Sequence, residues 1–223
     1  MEDLYIVIPA YNEGPRIRKL LEKILFLGYE NIIVVNDAST DNTRYEIENL
    51  DKVIILDHII NLGPGGATQT GLEYALKNNG EYIVTLDGDY QHNPEDISTL
   101  YQKIKKDKLD IVIGSRFKSK NKIPKSRIAF NYIGNFISYL LTGKYISDSQ
   151  SGMKIISGNF ARKIAIQTSG FEFCMEIIKI ARSKNAKMAE VPISVNYSEE
   201  TMQKGQSLSS GFSMLGRIFS PFN

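Results

Sequence analysis

Two aspartates separated by a single glycine, Asp87 and Asp89, lie directly after a short apolar run that includes Ile83 and Val84. The run is rich in β-branched residues and is bounded by polar residues, which predicts a buried strand. Gly88 allows the backbone to turn between the two carboxylates. Oxygen ligands on one loop suit Mg²⁺ or Mn²⁺, which usually bind one or two carboxylates together with substrate phosphates. A plain turn uses the same residue types, so the spacing alone leaves both interpretations open.

The segments around this loop alternate between strand and helix. Apolar runs of strand-forming residues occur at 4–8, 31–36, 53–56, 82–86 and 110–114. Segments with helical spacing of apolar residues, or with helix-starting residues, separate the runs and include 15–27 and 94–106. This order predicts βαβ units, and therefore an α/β fold with a mainly parallel central sheet flanked by helices.

Polar side chains follow the predicted strands at the points where the strands end. In parallel sheets, ligands bind beyond the carboxyl ends of the strands, so these side chains are expected to meet at one edge of the sheet. Their concentration there predicts a binding or catalytic site. The side chains concerned are Asn12, Glu13, Asp37, Asp41, Asp87, Asp89, Ser115 and Arg116.

A glycine-rich loop, Gly63-Pro-Gly-Gly66, follows the third predicted strand and opens a helix. Its spacing departs from the dinucleotide-binding pattern Gly-x-Gly-x-x-Gly, because Thr68 stands at the third glycine position. A Walker loop is absent, since Leu72 and Glu73 replace the required Lys and Ser or Thr. The glycines are therefore expected to permit close approach of the backbone, either to another backbone segment or to a ligand.

The composition is that of an ordinary globular protein. The chain has 223 residues, 42% hydrophobic and 23% charged, which is enough for one large domain with a substantial core. A net charge of +2 argues against a protein that coats nucleic acid. The single cysteine, Cys174, cannot form an internal disulfide, which predicts a reducing compartment; its apolar surroundings predict burial.

Four motifs occur in order along the first half of the chain. They are Pro9-Ala-Tyr-Asn-Glu13, Val35-Asn-Asp-Ala-Ser-Thr-Asp41, Asn61-Leu-Gly-Pro-Gly-Gly-Ala67 and Leu86-Asp-Gly-Asp-Tyr-Gln-His92. Together they resemble the family 2 glycosyltransferases, which have a GT-A (Rossmann-like) fold, and the resemblance continues to Arg116. It implies an inverting transfer of a sugar from a nucleotide sugar.

The resemblance also implies roles for individual residues of the first half. Asp87 and Asp89, with Gln91, match the motif that binds metal and diphosphate. A departing nucleoside diphosphate gains negative charge, which Mg²⁺ or Mn²⁺ would stabilise where it develops. The positions implied to bind the nucleotide sugar are Pro9, Ala10, Tyr11, Glu13, Asp37, Gly66, Asp87 and Asp89.

Two motifs of the second half, Asp148-Ser-Gln-Ser-Gly-Met-Lys154 and Gly170-Phe-Glu-Phe-Cys-Met-Glu176, resemble the dolichyl- or polyprenyl-phosphate sugar transferases, a group similar to dolichol-phosphate mannose synthase. The implied acceptor is a lipid phosphate, and the implied donor is of the GDP-mannose, UDP-glucose or UDP-N-acetylglucosamine type. Arg116, Arg127 and Lys154 are suitable cations for the acceptor phosphate, because Arg binds phosphate in a fork and Lys acts as a point charge. Lys154 stands where the group usually has Arg.

The chemistry of the acceptor separates two kinds of transferase. A sugar hydroxyl needs a general base to remove its proton, whereas a lipid phosphate is already anionic near neutral pH. Members that extend saccharides often carry an acidic base followed by Gln-x-x-Arg-Trp. This chain has no tryptophan, and the comparable place contains Glu172 between two phenylalanines. A phosphate acceptor is favoured, while Glu172 or Glu176 stays open as the base of a saccharide-extending enzyme.

An apolar segment at 128–141 follows the lysine-rich residues 118–125. It is too short and too polar to span a membrane and fits a helix at the membrane interface, with a core helix or a dimer surface as alternatives. Residues 212–219 are a weaker second candidate. With no signal peptide or spanning segment visible, we expect a peripheral protein on the cytoplasmic membrane face, with a membrane-anchoring partner subunit left open.

The whole chain is expected to form one GT-A catalytic domain, 1–223. Residues 1–116 form the predicted nucleotide-sugar-binding half, and residues 117–223 form the predicted acceptor-binding half with its C-terminal helices. A catalytically silent nucleotide-sugar sensor or subunit is the alternative from another class, against which the intact Asp-x-Asp pattern argues. The candidate catalytic residues are Asp89, Arg116, Arg127, Glu172 and Glu176.

Overall fold

The computed structural model describes residues 3–119, 135, 139 and 145–195 of the chain. The strands of this part are β1 (Leu4–Ala10), β2 (Ile32–Asn36), β3 (Val53–Asp57), β4 (Tyr82–Thr85), β5 (Ile111–Ser115), β6 (Lys154–Ser157) and β7 (Met188–Pro192). The helices are α1 (Gly14–Phe26), α2 (Thr43–Ile47), α3 (Gly63–Lys77), α4 (Asp96–Asp107), α5 (Gly158–Ala161) and α6 (Phe173–Ser183). Arg127, the segment 212–219 and most of the segment 128–141 lie outside the described residues.

The strands form one seven-stranded sheet in the order β3-β2-β1-β4-β6-β5-β7. Strand β1 is parallel to β2 and to β4, β2 is parallel to β3, and β5 is parallel to β7. Only β6 runs antiparallel to its neighbours, β4 and β5. The predicted α/β fold with a mainly parallel sheet is confirmed. Strands β6 and β7 were not predicted, because each is short and has no clear apolar run of its own.

Helices cover both faces of the sheet, and this arrangement explains the continuous apolar runs in the strands. On one face, Ile6, Ile8 and Val34 pack in a buried cluster with residues of α1 and α4. On the other face, Val7 and Ile33 pack with residues of α3 and α6. Each fully buried aliphatic side chain of this kind contributes about 1.5–3 kcal/mol relative to an exposed one. The core therefore fixes the sheet register from both sides.

Helix boundaries follow the predicted signals closely. Helix α1 has Pro15 in its first turn and buries Ile17, Leu20 and Ile24 on one stripe, as the spacing predicted. The backbone turns at Gly28, whose φ of 82° favours glycine. Helix α4 begins two residues later than predicted, because the residues after the Asp-x-Asp loop first form a turn. Among the described residues, no helix is both long and apolar enough to cross a membrane.

The topology brings several chain segments to one edge of the sheet. The carboxyl ends of β1, β2 and β4 lie side by side at this edge. Because β6 is antiparallel to β4, its amino end also lies there, and Lys154 pairs with Thr85 across the ladder. The segment that precedes β6 therefore continues alongside the loop that follows β4.

Candidate active site

The loops that follow β1 and β2 are joined by side-chain hydrogen bonds. The hydroxyl oxygen of Thr43 accepts the N–H groups of Glu13 and Gly14, at 2.7 and 2.8 Å. The side-chain oxygen of Asn12 accepts the N–H of Thr40 at 2.8 Å. The first N–H groups of a helix have no partner within it. The Thr43 hydroxyl, which follows β2, therefore caps the start of helix α1, which follows β1. The two predicted nucleotide-binding motifs therefore form one structural unit.

Four of the predicted nucleotide-binding residues lie at or just beyond the end of β1. Pro9 and Ala10 are its last two residues. Tyr11 is 47% exposed at the edge of the sheet. The Glu13 carboxylate pairs with Arg16 at 2.8 Å. The structure thus brings these four residues together, and their contact with a nucleotide stays a prediction.

Asp37 anchors the start of helix α3. Its carboxylate accepts the N–H groups of Leu62 and Gly63, at 2.8 and 2.7 Å, and lies 2.7 Å from Nδ1 of His58. Nε2 of His58 lies 3.0 Å from the hydroxyl of Thr70, so the network continues into α3. Asp37 is only 2% exposed. In this structure its carboxylate holds the glycine loop, and the predicted contact to base or ribose stays a prediction.

The glycine loop packs against the backbone of another segment. A Cβ atom at Gly63 would lie 2.2 Å from the carbonyl oxygen of Ser169, and one at Gly65 would lie 1.8 Å from that of Thr168. The N–H of Gly65 donates to the Ser169 carbonyl at 3.0 Å. These two glycines therefore serve contact between backbones, which was one of the two predicted uses. Gly66, predicted to contact the nucleotide sugar, lies in the first turn of α3.

Glu176 holds the segment on which the glycine loop packs. Its carboxylate accepts the N–H groups of Gln167 and Thr168, both at 3.0 Å, and the Thr168 hydroxyl at 2.6 Å. Both Glu176 oxygens are engaged in this way, and a role of Glu176 as a catalytic base stays a prediction. Glu172 is 8% exposed and lies against Gly170, and its role as a base likewise stays a prediction.

The Asp-x-Asp loop begins where β4 ends. The carboxylate of Asp87 rests on Gly152, where a Cβ atom would lie 2.0 Å from Oδ2. Nε2 of the buried His92 lies 3.6 Å from the same oxygen. The carboxylate of Asp89 accepts the N–H of Gln91 at 3.0 Å. The three predicted metal ligands thus lie on one short loop, and the Asp87 carboxylate packs against the backbone of Gly152.

The two aspartates have opposite electrostatic environments. Burial opposes ionisation of Asp87, but the hydrogen bond and charge of His92 and the charges of Lys154 and Arg116 lower its pKa below the ordinary value. Burial raises the pKa of Asp89, and the neighbouring Asp87 carboxylate raises it further. A cation beside Asp89 would offset both effects.

The donor set of this loop fits a hard divalent cation. Mg²⁺ usually binds one or two carboxylates plus substrate phosphates, and it seldom uses a cage made only of protein ligands. In the described part of the chain, no group of three or more His, Cys, Asp or Glu side chains is arranged to hold a metal. Two aspartates and the amide of Gln91 are therefore the available protein donors, and a diphosphate would complete the site.

Arg116 and Lys154, predicted to bind the acceptor phosphate, are both held within the protein. The Arg116 guanidinium binds the buried Asp148 through two hydrogen bonds of 2.7 Å, and its backbone N–H adds a third at 2.9 Å. The Arg116 side chain keeps 17% of its surface exposed. Lys154 is fully buried, and its ammonium donates to the Ser151 carbonyl. The contact of either cation with an acceptor phosphate stays a prediction.

A buried polar network, missed from the sequence, supports this region. The side-chain amide of Asn135 donates to the Ser147 carbonyl at 2.7 Å and accepts the Ser149 N–H at 3.1 Å. Asp148, between these two serines, binds Arg116. Asp148 and His92 belong to motifs recognised in the sequence, and this membership was the available signal.

A mainly parallel α/β sheet with an Asp-x-Asp loop at the carboxyl end of a central strand is the arrangement of the GT-A glycosyltransferases. The family described as Glycosyl transferase family 2 matches residues 5–165. The chain belongs to this family, and it is a glycosyltransferase.

Three similar proteins support this assignment. An uncharacterized protein of Methanocaldococcus jannaschii is 36% identical over 222 residues, covering 97% of this chain and 91% of its own length. The UDP-N-acetylglucosamine–dolichyl-phosphate N-acetylglucosaminyltransferase of Methanococcus voltae is 35% identical over 236 residues, covering 96% and 94%. The crystal structure of glucosyl-3-phosphoglycerate synthase from Mycobacterium tuberculosis with Mn²⁺, UDP and phosphoglyceric acid has a TM-score of 0.72, at 15% identity, over 99% of this chain and 80% of that one. The last likeness establishes the fold.

Proposed function

We propose that this glycosyltransferase transfers a sugar from a UDP-sugar to dolichyl or polyprenyl phosphate, with inversion at the anomeric carbon and with a divalent metal ion. The observation that carries the proposal is the Asp87–Asp89 pair at the carboxyl edge of the sheet, where two close carboxylates favour a bound cation. The name of the Methanococcus voltae relative supports both the UDP donor and the lipid-phosphate acceptor. UDP-N-acetylglucosamine is therefore the first donor to test.

In the proposed reaction, a phosphate oxygen of the acceptor attacks the anomeric carbon from the face opposite the nucleotide. The bond between that carbon and the diphosphate oxygen breaks, and UDP leaves with the bonding electron pair. The acceptor is already anionic near neutral pH, so the attack requires no general base. The engagement of both Glu176 oxygens by the 167–168 backbone and hydroxyl agrees with this requirement.

The residues of the site have distinct parts in this proposal. Asp89 and Gln91, with Asp87, would hold the metal ion. When bound, a divalent cation stabilises the negative charge that develops on the departing diphosphate. Arg116 would face the acceptor phosphate with the part of its side chain that stays exposed. Arg127, outside the described residues, remains the second proposed cation for that phosphate.

Because the proposed acceptor is a lipid, the reaction would take place at a membrane surface. The apolar segment 128–141 is the proposed contact with that surface, since its sequence fits an interfacial helix. The cytoplasmic face and a membrane-anchoring partner subunit belong to the same proposal.

Product identification tests this function directly. The purified protein is incubated with Mn²⁺, a panel of UDP- and GDP-sugars, and either polyprenyl phosphate or an oligosaccharide, and the products are identified by mass spectrometry. A sugar-phosphate lipid formed from a UDP-sugar supports the proposal. An extended saccharide would overturn the proposed acceptor and favour Glu172 as a base. Donor binding without turnover would indicate a non-catalytic subunit.

A further inference from the structure

Lys154 occupies an unusual place for a lysine. It is the first residue of β6, an interior strand between β4 and β5, and it has no exposed surface. A buried charge is costly unless it is paired or hydrogen-bonded. Its ammonium donates to the Ser151 carbonyl and forms no ion pair in the described part of the chain. The buried charge of Lys154 therefore needs a further stabilising partner.

The strand ladder shows which carboxylate lies nearby. Thr85 of β4 pairs with Lys154 of β6 at the end of their antiparallel ladder, and Asp87 and Gly152 each lie two residues beyond that pair. The carboxylate of Asp87 indeed rests on Gly152, where a Cβ atom would lie 2.0, 2.3 and 2.5 Å from its three atoms. The Thr85 hydroxyl donates to the Gly152 carbonyl at 2.7 Å and fixes this contact.

The Lys154 ammonium and the Asp87 carboxylate both contact the peptide unit that joins Ser151 and Gly152. Lys154 binds the carbonyl of Ser151, and that carbonyl is bonded directly to the nitrogen of Gly152, on which Asp87 rests. The other nearby cation, Arg116, is paired with Asp148 through two hydrogen bonds. Among the described residues, Lys154 therefore supplies a positive charge near Asp87 that no other carboxylate pairs with.

We infer that Lys154 is a positioning residue: a buried counter-charge that, through the Ser151–Gly152 peptide, holds the Asp87 carboxylate in place for the donor and its metal ion. The link to metal and donor rests on the proposed function. Partners that orient metal ligands typically change metal affinity by about 10- to 100-fold when they are removed. Removing the charge of Lys154 is expected to weaken Mn²⁺-dependent UDP binding by about that factor.

The inferred charge interaction between Lys154 and Asp87 is tested without donor, metal or acceptor. Lys154→Gln keeps an N–H donor for the Ser151 carbonyl but removes the charge, and Asp87→Asn removes the opposing charge. Urea unfolding is measured for both single variants and for the double variant. The double variant is expected to lose less stability than the two single losses added together. Additive losses would overturn the inference.

Two further variants keep this test decisive. Lys163→Gln removes an exposed lysine charge and is expected to leave the urea midpoint and UDP binding unchanged. If Lys154→Gln does not fold, the cycle is repeated with Lys154→Met, which retains an apolar side chain of similar length. Additivity in that cycle would equally overturn the inference.

Calorimetry of UDP binding and the KM for polyprenyl phosphate together distinguish a positioning role of Lys154 from a direct contact with the acceptor. Lys154→Gln is expected to weaken UDP binding in the presence of Mn²⁺ and to leave the KM for polyprenyl phosphate unchanged, while Lys154→Arg stays closer to the wild type. A raised KM for the lipid with unchanged UDP binding would assign Lys154 to the acceptor and overturn the inference. If no sugar is transferred at all, the proposed function fails, but the unfolding cycle still decides the role of Lys154.

Discussion

The loops on the donor side and the segment 148–154 beneath the Asp-x-Asp loop are stabilised in different ways. On the donor side, polar side chains bind backbone groups, as Asp37 does for Leu62 and Gly63. In the segment 148–154, buried charges compensate one another, as Asp148 does for Arg116. The first arrangement shapes a loop, whereas the second sets the charge next to the predicted metal ligands. Substitutions in the two regions should therefore have different consequences.

The largest effect is expected at the metal site itself. Asp89→Asn keeps the shape of the side chain but removes a carboxylate, so we expect turnover with Mn²⁺ to fall by about 10²- to 10³-fold. The folded state should persist, because burial and the Asp87 charge already oppose ionisation of Asp89. Single-turnover kinetics check the loss of turnover, and circular dichroism checks that the variant stays folded. Unchanged turnover would remove Asp89 from the mechanism.

The buried ion pair should dominate stability in the segment 148–154. Asp148→Asn leaves the Arg116 guanidinium without its charged partner, and breaking a buried pair on one side typically costs about 3–5 kcal/mol in the free energy of unfolding. The exposed pair between Lys23 and Glu95 provides the control. Glu95→Gln is expected to change that free energy by less than about 1 kcal/mol. Equal effects in urea unfolding would contradict the contrast between buried and exposed charges.

The glycine loop offers a comparison within the donor side. Gly65→Ala forces a Cβ atom toward the carbonyl oxygen of Thr168, which belongs to a fixed backbone, and should cost about 1–3 kcal/mol of stability. At Gly66 the atom nearest to an added Cβ is the Leu62 Cβ at 2.7 Å, a longer separation than the 1.8 Å at Gly65, so the loss for Gly66→Ala should be smaller. Thermal unfolding ranks the two variants. If Gly66→Ala weakens UDP binding while remaining stable, the predicted contact of Gly66 with the donor gains support.

The smallest effect is expected at Cys174. Burial raises the pKa of its thiol, so the reactive thiolate is scarce in the folded protein. We expect almost no reaction with a thiol reagent at pH 8 until urea unfolds the chain. Rapid labelling of the folded protein would show that this part of the core opens readily.

The sequence was sufficient for the strands and helices of the first half. Buried parallel strands are apolar along their whole length, and helix α1 has both a regular apolar stripe and clear end signals. The polar residues that follow β1, β2 and β4 could be assigned to one edge by the rule for parallel sheets. The metal donors, Asp87, Asp89 and Gln91, came from the motif and lie together on one loop.

The second half depended on contacts that the sequence does not reveal. Arg116 and Lys154 are both cations next to recognised motifs, and only the fold shows that Asp148 binds one and that the sheet buries the other. Glu176 likewise has the residue type of a base, but its partners at 167 and 168 engage both oxygens. Residue type gives the chemistry that is available, whereas burial and partners decide whether it is used.

Product formation from UDP-N-acetylglucosamine and polyprenyl phosphate tests the central claim most directly. The wild type and Asp89→Asn are compared with Mn²⁺ and with EDTA, and the lipid product is identified by mass spectrometry. The proposed function predicts a sugar-phosphate lipid from the wild type with Mn²⁺, and little or none with EDTA or from the variant. Equal product with EDTA, or a sugar attached to a saccharide hydroxyl and none to the lipid, would contradict it.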